Sequence, residues 1–472
     1  MQKPLLTKLV VISVITLLLL IPLSMISGQI NDRQHYLIDA QTSVANSWTG
    51  EQKITGPILV VPYTAYRYVE TWNETKEKLI QRKDAYHKFL FVKPETLHFD
   101  VQTQNDIRYK GIYAIPVYTS NLMIKGQLSP QAIQTKLTTI KQDYDEVEFE
   151  NAFLSVLISD PRGINRVPTL NFNQQTINFK PGSQLSVHSN GIHAPLDVDL
   201  QNLQAKNEFD FSLEIRGMKQ LSFVPVGESI QVVAQSNWPH PEFTGQFLPV
   251  QRTINNEGYR AQWKITSFAN NIQQKLENCA AGSCKALLAT DFGVKHIEAV
   301  DVYLQSERSI KYGVLFIALS FIAFFLFEVV QKLRIHGIQY ALVGLAIASF
   351  FLLLVSLSEH IAFVWAYTIA AFACISLLVV YISNILASLS HALGFGLAMS
   401  LLYAALFVII SAEDTALLMG SGLTFGLLAM LMMATRKIDW YQVSEELSAK
   451  AKIATKPAEK STTEPANTES NT

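Results

Sequence analysis

One long apolar run opens the chain, over residues 9–26, and the next begins only at Tyr312. Between them lie about 280 residues with the mixed composition of a soluble domain. After Tyr312 the apolar runs follow almost back to back. A hydrocarbon core of about 30 Å takes about 20 apolar helical residues to cross, and lipid offers no partner to an exposed backbone group. The spacing therefore predicts a polytopic α-helical membrane protein with one large domain between its first and second spans. Six spans are expected, at 9–27, 312–330, 340–358, 361–382, 392–411 and 415–435. The corresponding domains are an anchor (1–30), a periplasmic β-rich domain (31–310), a five-helix transmembrane bundle (311–441) and a disordered cytoplasmic tail (442–472). The tail is rich in Lys, Glu, Thr, Pro and Ala and too poor in apolar residues to form a core.

Charge orients the spans. Lys3 and Lys8 precede the first, Lys332, Arg334 and His336 lie between the second and third, and Arg436 and Lys437 follow the sixth. The opposite turns hold Glu359 in one and Glu413 with Asp414 in the other, without Lys or Arg. The positive-inside rule puts both termini in the cytoplasm and the large domain outside, which is the periplasm in a bacterium with an outer membrane. The first span also has the basic start and apolar middle of a cleavable signal peptide. Its apolar stretch is longer than the usual h-region and lacks a small-x-small site, which favours an uncleaved anchor. A net charge of −1 argues against nucleic acid or an anionic polymer as partner; the lipid bilayer is the partner the composition demands.

The outer domain reads as strands. Candidates are 57–66, 88–101, 106–117, 153–159, 176–179, 209–215, 229–235 and 258–265. Phe209, Phe211, Leu213 and Ile215 alternate with polar residues, the period of a half-buried strand. Many short strands separated by Gly, Pro and Asn predict a sandwich-like or related all-β architecture. Ser129 before Pro130 marks a helix N-terminus, and residues 31–48, without Pro or Gly, extend the first span as a helical stalk. Cys279 and Cys284 are four intervening residues apart on the side where disulfides persist, so a structural disulfide is expected there. A redox pair would need two intervening residues. Cys374 falls mid-span, where a cysteine packs as a small apolar residue.

Motifs for chemistry are sparse. His188, His193, His240 and His296 have no Cys or acidic neighbour at zinc-ligand spacing, and no nucleophile elbow, zinc-protease helix or phosphate-binding loop occurs. No metal, cofactor or catalytic residue is assigned. Glu328 is the one acidic residue deep enough in a span to matter; an ion pair with Lys332 at i, i+4 accounts for it without function. No later span carries a mid-membrane charge, which argues against a proton-coupled transporter. Gly422-x-x-x-Gly426 predicts a close-packing helix face. Pro239 and Pro241 stiffen a loop that presents Trp238 and His240. That loop either binds a glycan or protein, or packs Trp238 into the core. Glu359, His360, Glu413 and Asp414, with Arg308 and Lys311, are candidates for a polar seam docking the domain onto the bundle.

Several ordered motifs carry a family resemblance. They are Gly56-Pro57-Ile58-Leu59-Val60-Val61-Pro62, then Ser159-Asp160-Pro161-Arg162-Gly163-Ile164, then Ser236-Asn237-Trp238-Pro239-His240-Pro241 continued by 243–249. Lys311-Tyr312-Gly313, Ser358-Glu359-His360, the run 414–418 and Thr435-Arg436-Lys437-Ile438-Asp439-Trp440-Tyr441 complete the set. Over residues 5–441 the chain resembles the CreD family of bacterial inner-membrane proteins. The resemblance implies a role in cell-envelope integrity and the envelope-stress response, expression under a two-component system, and phenotypes in colicin tolerance, cell shape and β-lactam response. It brings no catalytic residues.

Two readings of function result. In the first, a non-enzymatic inner-membrane protein supports the envelope by binding a cell-wall component or a periplasmic protein, or by scaffolding. In the second, a membrane enzyme or transporter has its site between the periplasmic domain and the helix bundle. The absent motifs favour the first.

Overall fold

The computed structural model describes residues 3–72, 79–197, 207–297, 302–330, 335–386, 389–412 and 416–436. The expected tail, and Lys332, Arg334, Glu413 and Asp414 with it, lie outside the described residues. The chain divides into two compact units, one of Met1–Tyr36 with Val300–Thr472, the other of Leu37–Ala299. The described helices, in chain order, are α1 (Lys3–Leu18), α2 (Leu20–Ser47), α3 (Pro130–Asp143), α4 (Ile272–Ala280), α5 (Lys285–Leu288), α6 (Val302–Val330), α7 (Gly337–Ser358), α8 (Phe363–Leu386), α9 (Leu389–Ser411) and α10 (Ala416–Thr435).

The first unit is helical. Five described helical segments are long and apolar enough to cross a bilayer: Thr7–Ser47, whose end belongs to the second unit, Tyr303–Glu328, Gly337–Ser358, Phe363–Asn384 and Leu389–Ser411. The sixth expected span coincides with α10, a helix of 20 residues. The first segment breaks only at Leu19, between α1 and α2. Pro22 lacks an N–H and crowds the carbonyl of Leu18 one turn back, while Leu19 N–H still donates to Ile15 O at 3.0 Å and Leu23 N–H to Leu19 O at 3.4 Å. Leu19, Leu23, Ile26 and Ile30 form a buried stripe at helical spacing. Close packing falls on other glycines than expected. A Cβ on Gly344 would strike Leu19 and Phe321, and one on Gly396 would strike Val379. A Cβ on Gly422 or Gly426 would meet no described atom within 4 Å.

The second unit is built on two sheets. A nine-stranded sheet has Gln52–Trp72 at its centre and runs Pro241–Gly245, Phe292–His296, Gln220–Val224, Gln52–Trp72, Phe153–Ile158, Gly191–Pro195, Lys180–Pro181; Leu79–Val92 and Glu146–Phe149 also pair with the central strand. An eight-stranded sheet runs Gln251–Asn255, Gly258–Thr266, Ser229–Ser236, Thr96–Lys110, Tyr113–Leu128, Asn207–Met218, Thr169–Phe172, Gln175–Asn178. Apolar residues from both sheets fill one shared core. Phe99 meets Phe223 at a ring-centroid distance of 5.3 Å and Trp263 meets Phe292 at 5.6 Å, each pair joining the two sheets. Most pairings are antiparallel, but residues 52–55 pair in parallel with 221–224, and 96–103 with 229–236.

Two strand expectations need correction. The candidate 88–101 is two strands, Leu79–Val92 and Thr96–Lys110, in different sheets. Pro94 cannot donate to a ladder, and the chain changes sheet there. The candidate 106–117 is a hairpin whose turn holds Gly111 at φ +62°, a conformation that glycine adopts without steric cost. The helix signal at Ser129 agrees with α3, where the Ser129 hydroxyl accepts from Ala132 N–H.

The motif Asp160-Pro161-Arg162-Gly163 is a latch on the end of α2. Arg162 holds the Asp160 carboxylate through two nitrogens, at 2.8 and 2.6 Å. The same guanidinium donates to Asn46 O at 2.9 Å and Ala45 O at 3.3 Å, capping carbonyls the helix leaves open. Asp160 also accepts from Gly50 N–H at 3.1 Å. The Arg162 hydrogen bonds hold the Asp160 carboxyl below the usual carboxylate range. Gly163 has no room for a side chain against Arg216 O and Gln52. Trp48, next along, lies between the guanidinium groups of Arg108 and Arg216, at 4.8 and 4.6 Å.

Candidate functional site

The outer face of the eight-stranded sheet carries a groove of about 580 Å³. Strand alternation builds it. On Thr96–Lys110 the residues at 97, 99, 101 and 103 point into the core, which leaves Gln102 and Gln104 outside. Register then aligns the neighbours: Arg260 opposite Gln235, Gln235 opposite Gln102, and Gln102 opposite Asn121. Asn237, Thr253, Asn255 and Glu257 complete the rim. Asn237 is fixed in place. Its Oδ1 accepts from Asn105 N–H at 2.8 Å and its Nδ2 donates to Asn105 O at 3.4 Å. Asn255 Oδ1 accepts from Glu257 N–H at 3.1 Å across the hairpin turn.

The segment singled out in the sequence lends Ser236 and Asn237 to the lining of this groove. Trp238 is half-buried at the edge of the core, and its indole N–H donates to Ile297 O at 2.8 Å. His240 is exposed. Trp238 thus anchors the loop, and its neighbour Asn237 is the residue that faces the groove.

The other candidate histidines of the β-rich unit have separate partners. His193 Nδ1 lies 2.7 Å from Gly182 O, and burial lowers the pKa of His188. His296 is buried between the rings of Tyr118 and Tyr259, with Nε2 3.2 Å from the Tyr259 hydroxyl. Burial pushes its pKa down to about 4. Among the described residues no group of three or more His, Cys, Asp or Glu is placed to hold a metal ion. Cys279, on α4, and Cys284 are joined as a disulfide beneath Ile58, Val60, Leu276 and Leu287.

In the helical unit, two ion pairs tie the first segment to later helices. Lys8 on α1 pairs with Glu328 on α6, whose side chain is 4% exposed. The same carboxylate accepts from the Tyr340 hydroxyl at 2.7 Å and from Ile335 N–H at 3.0 Å. Arg33 on α2 pairs with Glu359, after α7, at 3.0 Å. The roughly 25-residue rise from Lys8 to Arg33 is about 37 Å of helix, longer than the ~30 Å hydrocarbon core. The pairs therefore lie at opposite ends of the first span.

Sequence reasoning offered Lys332, which lies outside the described residues, as the partner of Glu328 and missed Lys8. The available signal was one buried carboxylate and one lysine at the ends of different spans on the same side of the membrane. Lys311 pairs with Glu307 on its own helix at 2.8 Å, Arg308 makes no ion pair with a described residue, and His360 is exposed. Of the residues expected in the seam, Glu359 pairs with Arg33. Cys374 is buried, with the Tyr403 hydroxyl donating to its Sγ at 3.2 Å.

A family model described as "Inner membrane protein CreD" matches residues 4–441. The chain is similar to "Inner membrane protein CreD" of Escherichia coli (strain K12), with 32% identity over 447 residues, covering 94% of this chain and 95% of that protein.

Proposed function

The chain belongs to the CreD family of inner membrane proteins, and from that premise we propose that it supports envelope integrity by holding an envelope component in the groove of its β-rich unit, without catalysing a reaction on it. The observation that carries this reading is the groove itself: a wide, polar, open surface on a sheet face, lined by hydrogen-bonding side chains. In this reading the protein is a multi-pass inner-membrane protein with six spans, α10 forming the sixth. Both termini are cytoplasmic and the β-rich unit is periplasmic. The lysines before the first span and Arg436 after α10 support that orientation. Expression under a two-component system, the envelope-stress response and colicin tolerance belong to the same reading, by family resemblance.

The Lys8–Glu328 pair is the feature closest to transport chemistry. Its carboxylate already has three donors, from Lys8, Tyr340 and Ile335, which suits a fixed clamp better than a site that must release and rebind a proton.

The test is complementation. In cells lacking the chromosomal copy, a Gln102→Ala/Gln235→Ala variant should reach the membrane at normal levels yet fail to restore resistance to detergents and cell-wall antibiotics. A Gln231→Ala control on the same sheet face should restore it. Full rescue by the double variant would remove the groove from the function.

A further inference from the structure

Resting on that reading, we propose that the ligand of the groove is a neutral glycan chain, read by the carboxamides of Gln102, Asn121 and Gln235 with Arg260 at one end.

The geometry supplies the recognition row. These four residues are direct cross-strand neighbours on four adjacent strands. At a spacing of 4.7–4.9 Å per strand, the row is about 14 Å long. It runs across the strands, so a chain lying in it meets one side chain after another. Each carboxamide sets a two-proton donor beside an acceptor with two lone pairs. A sugar's adjacent hydroxyls offer the complementary pair, since each hydroxyl both donates and accepts.

The row is also unoccupied by the protein's own bonds. Among the described residues, the side chains of Gln102, Asn121, Gln235 and Arg260 make no hydrogen bond or ion pair, whereas Asn237 and Asn255 at the rim are fixed by backbone partners. The reading groups can exchange water for ligand hydroxyls, while the walls hold their shape.

Charge selects against other ligand classes. Among the described residues, Arg260 and Glu257 are the only charged ones lining the groove. A phosphate polymer or nucleic acid requires several cations in sequence. A peptide anchored by apolar side chains requires apolar pockets, and the side chains of this row are all polar. A second groove of about 610 Å³ on the same sheet makes the contrast: His98, Lys125, Glu208 and Asp210 line it, and it has no comparable run of carboxamides. A polar face kept only for solubility intersperses charges of both signs, as the second groove does with Lys125, Glu208 and Asp210.

The experiment uses the full-length protein in nanodiscs, because glycoside detergents would themselves present sugar to the groove. The probes are N-acetylglucosamine tetramer, cellotetraose, polyphosphate and polyglutamate, with binding read by saturation-transfer NMR and titration. At least one neutral oligosaccharide should bind at millimolar concentration or below. Gln102→Ala/Gln235→Ala should weaken that binding by at least about tenfold, the loss expected for two hydrogen-bonding groups, and Gln231→Ala in the second groove should leave it unchanged. Binding only of the anionic probes, binding of none, or binding indifferent to the double variant would overturn the glycan assignment. The two proposals fail separately. Loss of complementation without any glycan binding would leave the groove in use with another ligand. Lost glycan binding with intact complementation would leave a glycan site that the envelope function does not use.

Discussion

Tyr340, in the first turn of α7, donates to Glu328 near the end of α6 at 2.7 Å, and Lys8 closes on the other carboxylate oxygen from α1. Three helices thus meet on one carboxylate, and the Ile335 N–H between α6 and α7 completes its shell at 3.0 Å. The first helix is therefore part of the packed bundle, and its removal as a signal peptide would strip Glu328 of its cation.

That arrangement predicts an order of stabilities. Lys8→Met leaves a buried carboxylate short of its counter-charge and should destabilise the bundle by up to about 3 kcal/mol. The partial exposure of Lys8 and the two remaining donors keep the cost from exceeding that. Lys8→Met/Glu328→Met should recover part of the loss, because removing both charges removes the desolvation cost as well. Thermal unfolding of the membrane-extracted protein measures this. A double variant less stable than Lys8→Met alone would show that the pair does not act as a unit.

Orientation is checked by reporter fusions. Alkaline phosphatase inserted at Gly182 should be active, and the same enzyme fused after Tyr441 should be inactive. The opposite pattern would invert the proposed topology.

Much of this organisation is legible in the sequence, because span length is set locally. The helix caps at Ser129 and the alternation at 209–215 are local signals too. What is not legible depends on pairing at a distance. The spacing of Lys332 from Glu328 is visible along the helix, whereas Lys8 is brought to Glu328 by bundle packing. Residues 88–101 read as one strand because both halves favour strand, and only the two sheets show why Pro94 divides them. Gln102 and Gln104 can be read as the polar side of a strand. Their alignment with Gln235 and Asn121 requires the register, which no single strand encodes.

The cysteines give a second chemical test. With Cys279 and Cys284 paired, thiol labelling of denatured, non-reduced protein should tag Cys374 alone. Labelling of all three to completion would show that the bond is absent in the native envelope.

His296 should make the β-rich unit acid-sensitive. Its folded pKa of about 4 lies below the ordinary value of 6.5, so the unfolded chain takes up the proton first as pH falls. The stability from keeping this imidazole neutral is complete above about pH 6.5 and is lost progressively down to about pH 4, amounting to about 3 kcal/mol. Denaturant unfolding at about pH 7.5 and about pH 4.5, followed by the far-ultraviolet signal of the sheets, should show this loss. His296→Phe should flatten the profile between those values. An equal pH dependence in the variant would place the sensitivity elsewhere.

The central strand Gln52–Trp72 has a consequence for biogenesis. Its first residues pair in parallel with Gln220–Val224, a segment synthesised much later. At about 5–20 residues per second, the wait is roughly 10–30 s. Long-range parallel pairing is also among the slower events in folding. Throughout that interval the largely buried first half of the strand presents an unpaired edge at 52–55, a surface on which nascent chains cross-pair. In the proposed topology the unit would pass that interval as a client for a holding chaperone, its yield set by chaperone supply before any ligand reaches its groove.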